Sequence, residues 1–130
     1  MTEVTKPRPK FLTLTEIRLP LAGFVSILHR VSGAALFILL PWLIYLFGLS
    51  IRSPDSFAHF QSYVSHPLVK FILFGLIWAF LHHFCAGIRF LFLDLHIGID
   101  KQASQSSAMA VLAVSLVLSL IVAIKLLGVF

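Results

Sequence analysis

Residues 21–49 read LAGFVSILHRVSGAALFILLPWLIYLFGL, 29 consecutive positions with a single charged side chain, Arg30. A helix needs roughly 20 apolar residues to cross the hydrocarbon layer of a bilayer, so this stretch is long enough to span it once. Two further runs have the same character, residues 68–93 and 108–130. Polar stretches separate them: 50–67, with Arg52, Pro54, Asp55, His59 and Pro67, and 94–107, with Asp100 and Lys101. The chain therefore reads as an all-α membrane protein of three transmembrane helices, with an N-terminal arm (1–20), loops at 50–67 and 94–107, and its termini on opposite sides. The segment around Ala103–Ser107 reads as an ordinary polar loop.

Composition supports lipid as the solvent. Hydrophobic residues make up 59% of the chain and charged residues 12%, far from the balance of a soluble domain. Ten Lys and Arg stand against five acidic residues, but they lie singly at segment ends rather than in a stripe, which argues against a nucleic-acid partner. The lone cysteine, Cys85, excludes an internal disulfide, a Cys-rich iron–sulfur site and a C-x-x-C-H attachment for covalent haem.

The first twenty residues carry Pro7, Pro9 and Pro20 and lack the apolar core and small-residue cleavage site of a signal peptide, so the first span is expected to be a retained anchor. Lys6, Arg8, Lys10, Arg18, Arg89 and Lys101 fall on one side, and Arg52, Lys70 and Lys125 on the other. The positive-inside bias then places the N-terminus in the cytoplasm. In the arm, Thr13-Leu14-Thr15-Glu16 has capping-box spacing and predicts a short surface helix, while Pro20 suits the start of the first span.

Polar residues inside the spans are the candidates for chemistry. Ser26, His29, Arg30 and Gly33 fall at spacings that share one helical face. An Arg at a helix centre costs roughly 2.5–3.5 kcal/mol even on the lenient insertion scale. Arg30 lies about nine residues into the span, roughly 14 Å at a rise of about 1.5 Å per residue, which is far for a side chain that snorkels to the headgroups. A buried anion or a polarised oxygen suits it better. His29 can donate to the same group and Ser26 offers a hydroxyl, and a carboxylate and a quinone oxygen are both compatible with that set.

Span two carries His82 and His83 near its middle, then Arg89 and Asp94. Steps of four from His83 give Gly75, Ala79 and Gly87, whereas a step of four from His82 meets Trp78. Small residues let a flat group or a second helix come close to the backbone. His83 therefore ranks above His82 as an axial ligand, with helix packing the competing use of the stripe. His83 lies about eleven residues before Asp94, roughly 16 Å of helix, a depth similar to that of His29 and Arg30. Imidazole on iron with cationic donors near the propionates would make a b-type haem pocket. Arg89 and Asp94, at the end of the span, fit either interfacial charges or, for Arg89, a propionate contact. Span three holds Ser115, Ser119 and Lys125 and reads as scaffold. Trp42, Tyr45 and Trp78 read as belt or lipid-facing aromatics.

Arg8-Pro9, Leu12, Leu14 and Pro20, followed by Ser26-Ile27-Leu28-His29-Arg30-Val31-Ser32-Gly33, resemble the cytochrome b subunit of succinate dehydrogenase. His83-Phe84-Cys85-Ala86-Gly87-Ile88-Arg89 with Asp94 downstream is similar to that family's H-x-x-x-G-x-R and its following Asp. Phe90 stands where many members have a His. The resemblance implies a helical bundle shared with a second small membrane subunit, together anchoring a flavoprotein and an iron–sulfur subunit that feed electrons from succinate to ubiquinone. It implies haem b shared with the partner, with His83 as one axial ligand, His29 and Arg30 at the propionates, and Ser26, Arg30 and Ile27 at the quinone. His82, Arg89 and Asp94 stand as secondary candidates. The expected location is a bacterial inner membrane, with a mitochondrial inner membrane the alternative. Two other readings are a haem-free anchor of a fumarate reductase and a small proton or anion transporter subunit. Span three has no ionisable group along its membrane interior, which counts against transport.

Overall fold

The computed structural model describes residues 17–127. The surface helix expected around Thr13–Glu16 lies outside them. Four helices follow one another: α1 (Leu21–Arg52), α2 (Pro54–Ser65), α3 (Pro67–Asp94) and α4 (Lys101–Leu127). α1, α3 and α4 are long and apolar enough to cross a membrane, and they run up, down and up. α3 packs against both others, and α1 also touches α4.

Local signals explain each boundary. Pro20, in extended conformation, precedes α1, and its carbonyl accepts the first helical bond from Phe24. Pro41 inside α1 removes one backbone donor, which spanning helices tolerate. The stretch 50–67, read as a loop, contains α2: Ser53 and Ser56 cap each other reciprocally, and Pro54 occupies the first helical position. α3 ends with His96 in the left-handed region at φ 61°. The amide of Ile97 then bonds the Phe92 carbonyl and that of His96 the Leu93 carbonyl, a Schellman closure made with histidine instead of the usual glycine.

α4 begins at Lys101, so the stretch 103–107 is not a loop but the first turns of the third spanning helix. Asp100 Oδ1 accepts from the Ala103 amide at 2.9 Å, the capping that overrides the polar composition of this segment. Gln105 from the same turns reaches across to accept the Ala22 amide at 3.1 Å. That bond ties the start of α1 to the start of α4 and fixes both at one end of the bundle.

Between the helices the packing is made of small side chains. Val25, Ala86, Ala108 and Val111 form the buried cluster, and Ser115 and Ser119 continue the inward stripe of α4 with their hydroxyls bonded to their own helix. Large residues such as Phe37, Ile38 and Phe71 face outward. In lipid, packing and interhelical hydrogen bonds rather than apolar burial drive association, and small residues at the contact are what permit it.

Candidate functional site

α1 and α3 bring the two expected clusters together. The rings of His29 and His83 stack at 4.2 Å between centroids and 10° between planes, so the equal depths counted along the two helices become a direct contact. Phe90, one turn beyond Gly87, packs on the other ring at 5.1 Å from His29. Gly87 itself lies against His29, whose Nε2 would be 3.7 Å from an added Cβ.

The orientation of the His83 ring follows from its partners. Its Nδ1 lies 3.0 Å from the backbone carbonyl of His29 and 3.3 Å from Ser32 Oγ. A carbonyl can only accept, so Nδ1 carries a hydrogen, and in the neutral ring the lone pair is then on Nε2. Ser32 donates its own hydroxyl proton to the same His29 carbonyl at 2.9 Å, leaving its oxygen to accept from Nδ1–H. Nε2 makes no hydrogen bond among the described residues and is not among their sealed, unpartnered polar atoms. A neutral imidazole held through Nδ1 with Nε2 open is the arrangement a metal-ligating histidine uses.

His82 is placed differently. It is 0% exposed, both ring nitrogens are sealed and unpartnered among the described residues, and its ring stacks on Trp78 at 5.1 Å. The indole nitrogen of Trp78 is sealed as well, so this tryptophan faces the bundle interior and not the lipid belt. The stripe of small residues drawn through His83 does not form one surface. Gly75 meets open space, Ala79 is buried and Gly87 touches His29. A step of four residues on a helix advances about 40° beyond a full turn, so a row of such steps winds off any single face.

Two residues that sequence reasoning left in the background hold His83. Ser32 is buried and supplies the second contact to Nδ1. Gly33 provides clearance, since a Cβ there would meet His83 Cε1 at 2.8 Å. Both sit in the quoted S-I-L-H-R-V-S-G run, but only the way α1 crosses α3 reveals what they touch.

Ser26 is half-buried, and Ile27 and Arg30 are exposed on the outward side of α1. Among the described residues no hydrogen bond or ion pair occupies the Ser26 hydroxyl or the Arg30 guanidinium, and neither is a sealed polar group. Arg89 is not gathered into this cluster. It is buried against α4, where its Nε donates to Ser107 Oγ at 2.9 Å and its Nη2 to Ser104 O and Oγ at 3.1 and 3.0 Å. Asp94 is exposed at the last position of α3.

Chemically, the cluster offers one open imidazole nitrogen and one mid-span guanidinium. No group of three or more His, Cys, Asp or Glu side chains gathers among the described residues, so iron here would need ligands from outside those groups, as porphyrin nitrogens supply. The stacking of His29 on His83 bears on the second axial position. Two imidazoles that clamp one iron point their nitrogens at each other across it, whereas these two lie face to face. The residues fit a haem held from one side by His83.

A sequence model of the family described as "Succinate dehydrogenase/Fumarate reductase transmembrane subunit" matches residues 4–122. The succinate dehydrogenase cytochrome b556 subunit of Paracoccus denitrificans is 35% identical over 117 residues, covering 88% of each chain. That of Coxiella burnetii is 35% identical over 111 residues, covering 85% of this chain and 89% of its own. That of Rickettsia felis is 29% identical over 123 residues, covering 92% and 93%. The chain belongs to the family of succinate dehydrogenase and fumarate reductase transmembrane subunits.

Proposed function

We propose that this chain is the membrane anchor of a succinate:ubiquinone oxidoreductase, that it binds haem b jointly with a second membrane subunit, and that it forms part of the ubiquinone-reduction site. It is not an enzyme on its own. Oxidation of succinate would belong to the flavoprotein and iron–sulfur subunits it anchors. The observation that carries the reading is the tethering of His83 through Nδ1, which leaves Nε2 available, beside a His82 sealed in the bundle.

Haem, when bound, supplies a one-electron carrier within the membrane. His83 would hold its iron from this side, oriented by the His29 carbonyl and Ser32 and given room by Gly33. His29 and Arg30 would meet the propionates. A residue of the partner subunit would hold the haem from its other side, because His29, stacked face to face on His83, cannot share that role.

Arg30 supports a partner directly, since an exposed guanidinium at mid-span is costly against lipid and a neighbouring subunit would cover it. Reduction of ubiquinone takes two electrons and two protons, and negative charge develops on its carbonyl oxygens before the protons arrive. Arg30 and the Ser26 hydroxyl would donate to those oxygens and stabilise that charge, with Ile27 as apolar wall. The N-terminal side of the bundle, where the soluble subunits would sit, is taken as cytoplasmic from the distribution of Lys and Arg.

Replacing Arg30 with Leu or Ser26 with Ala in the complex tests the quinone role. Succinate-dependent quinone reduction should fall by at least tenfold while succinate oxidation with an artificial acceptor stays within about twofold, since loss of one preorganised donor to a developing oxyanion costs roughly 10²–10³ in rate. Equal losses in both assays would contradict it.

A further inference from the structure

Arg89 is a buried cation that the haem and quinone roles do not use. It is 7% exposed, and an arginine stays charged at any ordinary pH. Its hydrogen bonds go to neutral groups, Ser104 and Ser107, and no carboxylate neutralises it among the described residues. Its Nη1 makes none of these bonds, yet is not among the sealed polar atoms. One donor face of the guanidinium therefore opens on free space.

Arg89 also lines a cleft of about 450 Å³ between α3 and α4, whose walls are almost wholly apolar. The cleft runs lengthwise, from Ile97 and Gly98 at the turn, past Arg89, to Cys85 and Val114 deeper in the span. The stretch of α3 along it, residues 85–93, rises about 12 Å. Arg89 stands five residues before the end of α3, roughly 7 Å below it, a depth at which a guanidinium meets the headgroup region. An elongated apolar slot parallel to the helices with an unneutralised cation towards its outer end has the shape and charge of an anionic amphiphile. A partner's carboxylate would satisfy the charge but would leave the slot unfilled.

We propose that this cleft binds an anionic phospholipid, its phosphate on Arg89 and an acyl chain laid along the cleft towards Val114. The bound lipid neutralises the buried charge and fills the gap between α3 and α4. Phosphate pairs well with guanidinium because the planar donor fork matches its oxygens.

The test uses the protein with its membrane partners, extracted from native membranes, exchanged into phosphatidylcholine nanodiscs containing a small fraction of phosphatidylglycerol, and analysed by mass spectrometry for retained lipid. The wild-type complex should keep one phosphatidylglycerol more than Arg89→Gln, with at least a tenfold fall in occupancy of that site. Ala110→Phe, which adds bulk to the α4 wall of the cleft and leaves Arg89 in place, should lose the same molecule, and this variant decides the matter if Arg89→Gln fails to assemble. Excess inorganic phosphate should leave the lipid in place. Equal phosphatidylglycerol retention in wild type and Ala110→Phe would overturn the proposal, as would displacement by inorganic phosphate, which would mark a site for the free anion. A wild-type complex with no retained phosphatidylglycerol would also overturn it and point to a partner's carboxylate.

Discussion

The backbone carbonyl of His29 lies 3.0 Å from Nδ1 of His83 while the two rings stack at 4.2 Å. One residue thus acts on the other twice, through a main-chain acceptor that no substitution removes and through a side chain that one can. His29→Ala should therefore keep haem in the complex while altering the environment of the ligand ring. The reduced absorption spectrum should retain a b-type band, shifted in position or potential. Complete loss of the band would mean that haem binding depends on the His29 side chain beyond a propionate contact shared with Arg30.

Ser32 contributes the weaker contact to the same nitrogen, at 3.3 Å. Partners that orient a metal-bound histidine are worth roughly 10–100-fold in metal affinity when removed. With the His29 carbonyl still in place, Ser32→Ala should fall at the low end, about tenfold in haem retention during detergent washing. Retention equal to wild type would remove Ser32 from the account.

Gly33→Ala places a methyl group 2.8 Å from His83 Cε1. The ring is pinned at Nδ1 and cannot swing away cheaply, and overpacking of this kind costs about 1–3 kcal/mol. Haem content should drop sharply. Gly48→Ala, where nothing lies within 4 Å, is the control on the same helix and should keep wild-type haem. Equal haem content in the two variants would contradict the proposed clearance.

Ser107→Ala leaves the Nε of a buried Arg89 without its acceptor at 2.9 Å. An unsatisfied buried donor costs about 1–3 kcal/mol, more when charged. The midpoint of denaturation in a detergent titration should fall accordingly, with the haem spectrum unchanged. A spectral change as large as that of Gly33→Ala would place Arg89 at the haem after all.

Much of this architecture is legible in residues 21–49, 68–93 and 108–130, because a bilayer imposes a length and an apolar composition that few other environments require. What escapes is where helices end. Ser53-Pro54 and Asp100 are ordinary helix-start signals, yet hydropathy reports the membrane boundary and not the helix boundary, so α2 and the first turns of α4 read as loops. The cost was functional, since Ser104, Gln105 and Ser107 lie in those turns and make α4 more than scaffold. Within the site, the S-I-L-H-R-V-S-G run announces its own importance, but the contacts of Ser32 and Gly33 with His83 depend on how α1 crosses α3. Periodicity within one helix carries no information on the helix it crosses. The same blindness put Gly75, Ala79 and Gly87 on one surface with His83 when each meets a different neighbour.

His83, held through Nδ1, is proposed as this chain's iron ligand, and its neighbour His82 as packing. The most direct measurement is the absorption spectrum of the purified, succinate-reduced complex carrying His83→Leu or His82→Leu. A b-type band of wild-type intensity is expected in the His82 variant, and loss of that band in the His83 variant. A band that survives His83→Leu, or that disappears with His82→Leu alone, would contradict that assignment.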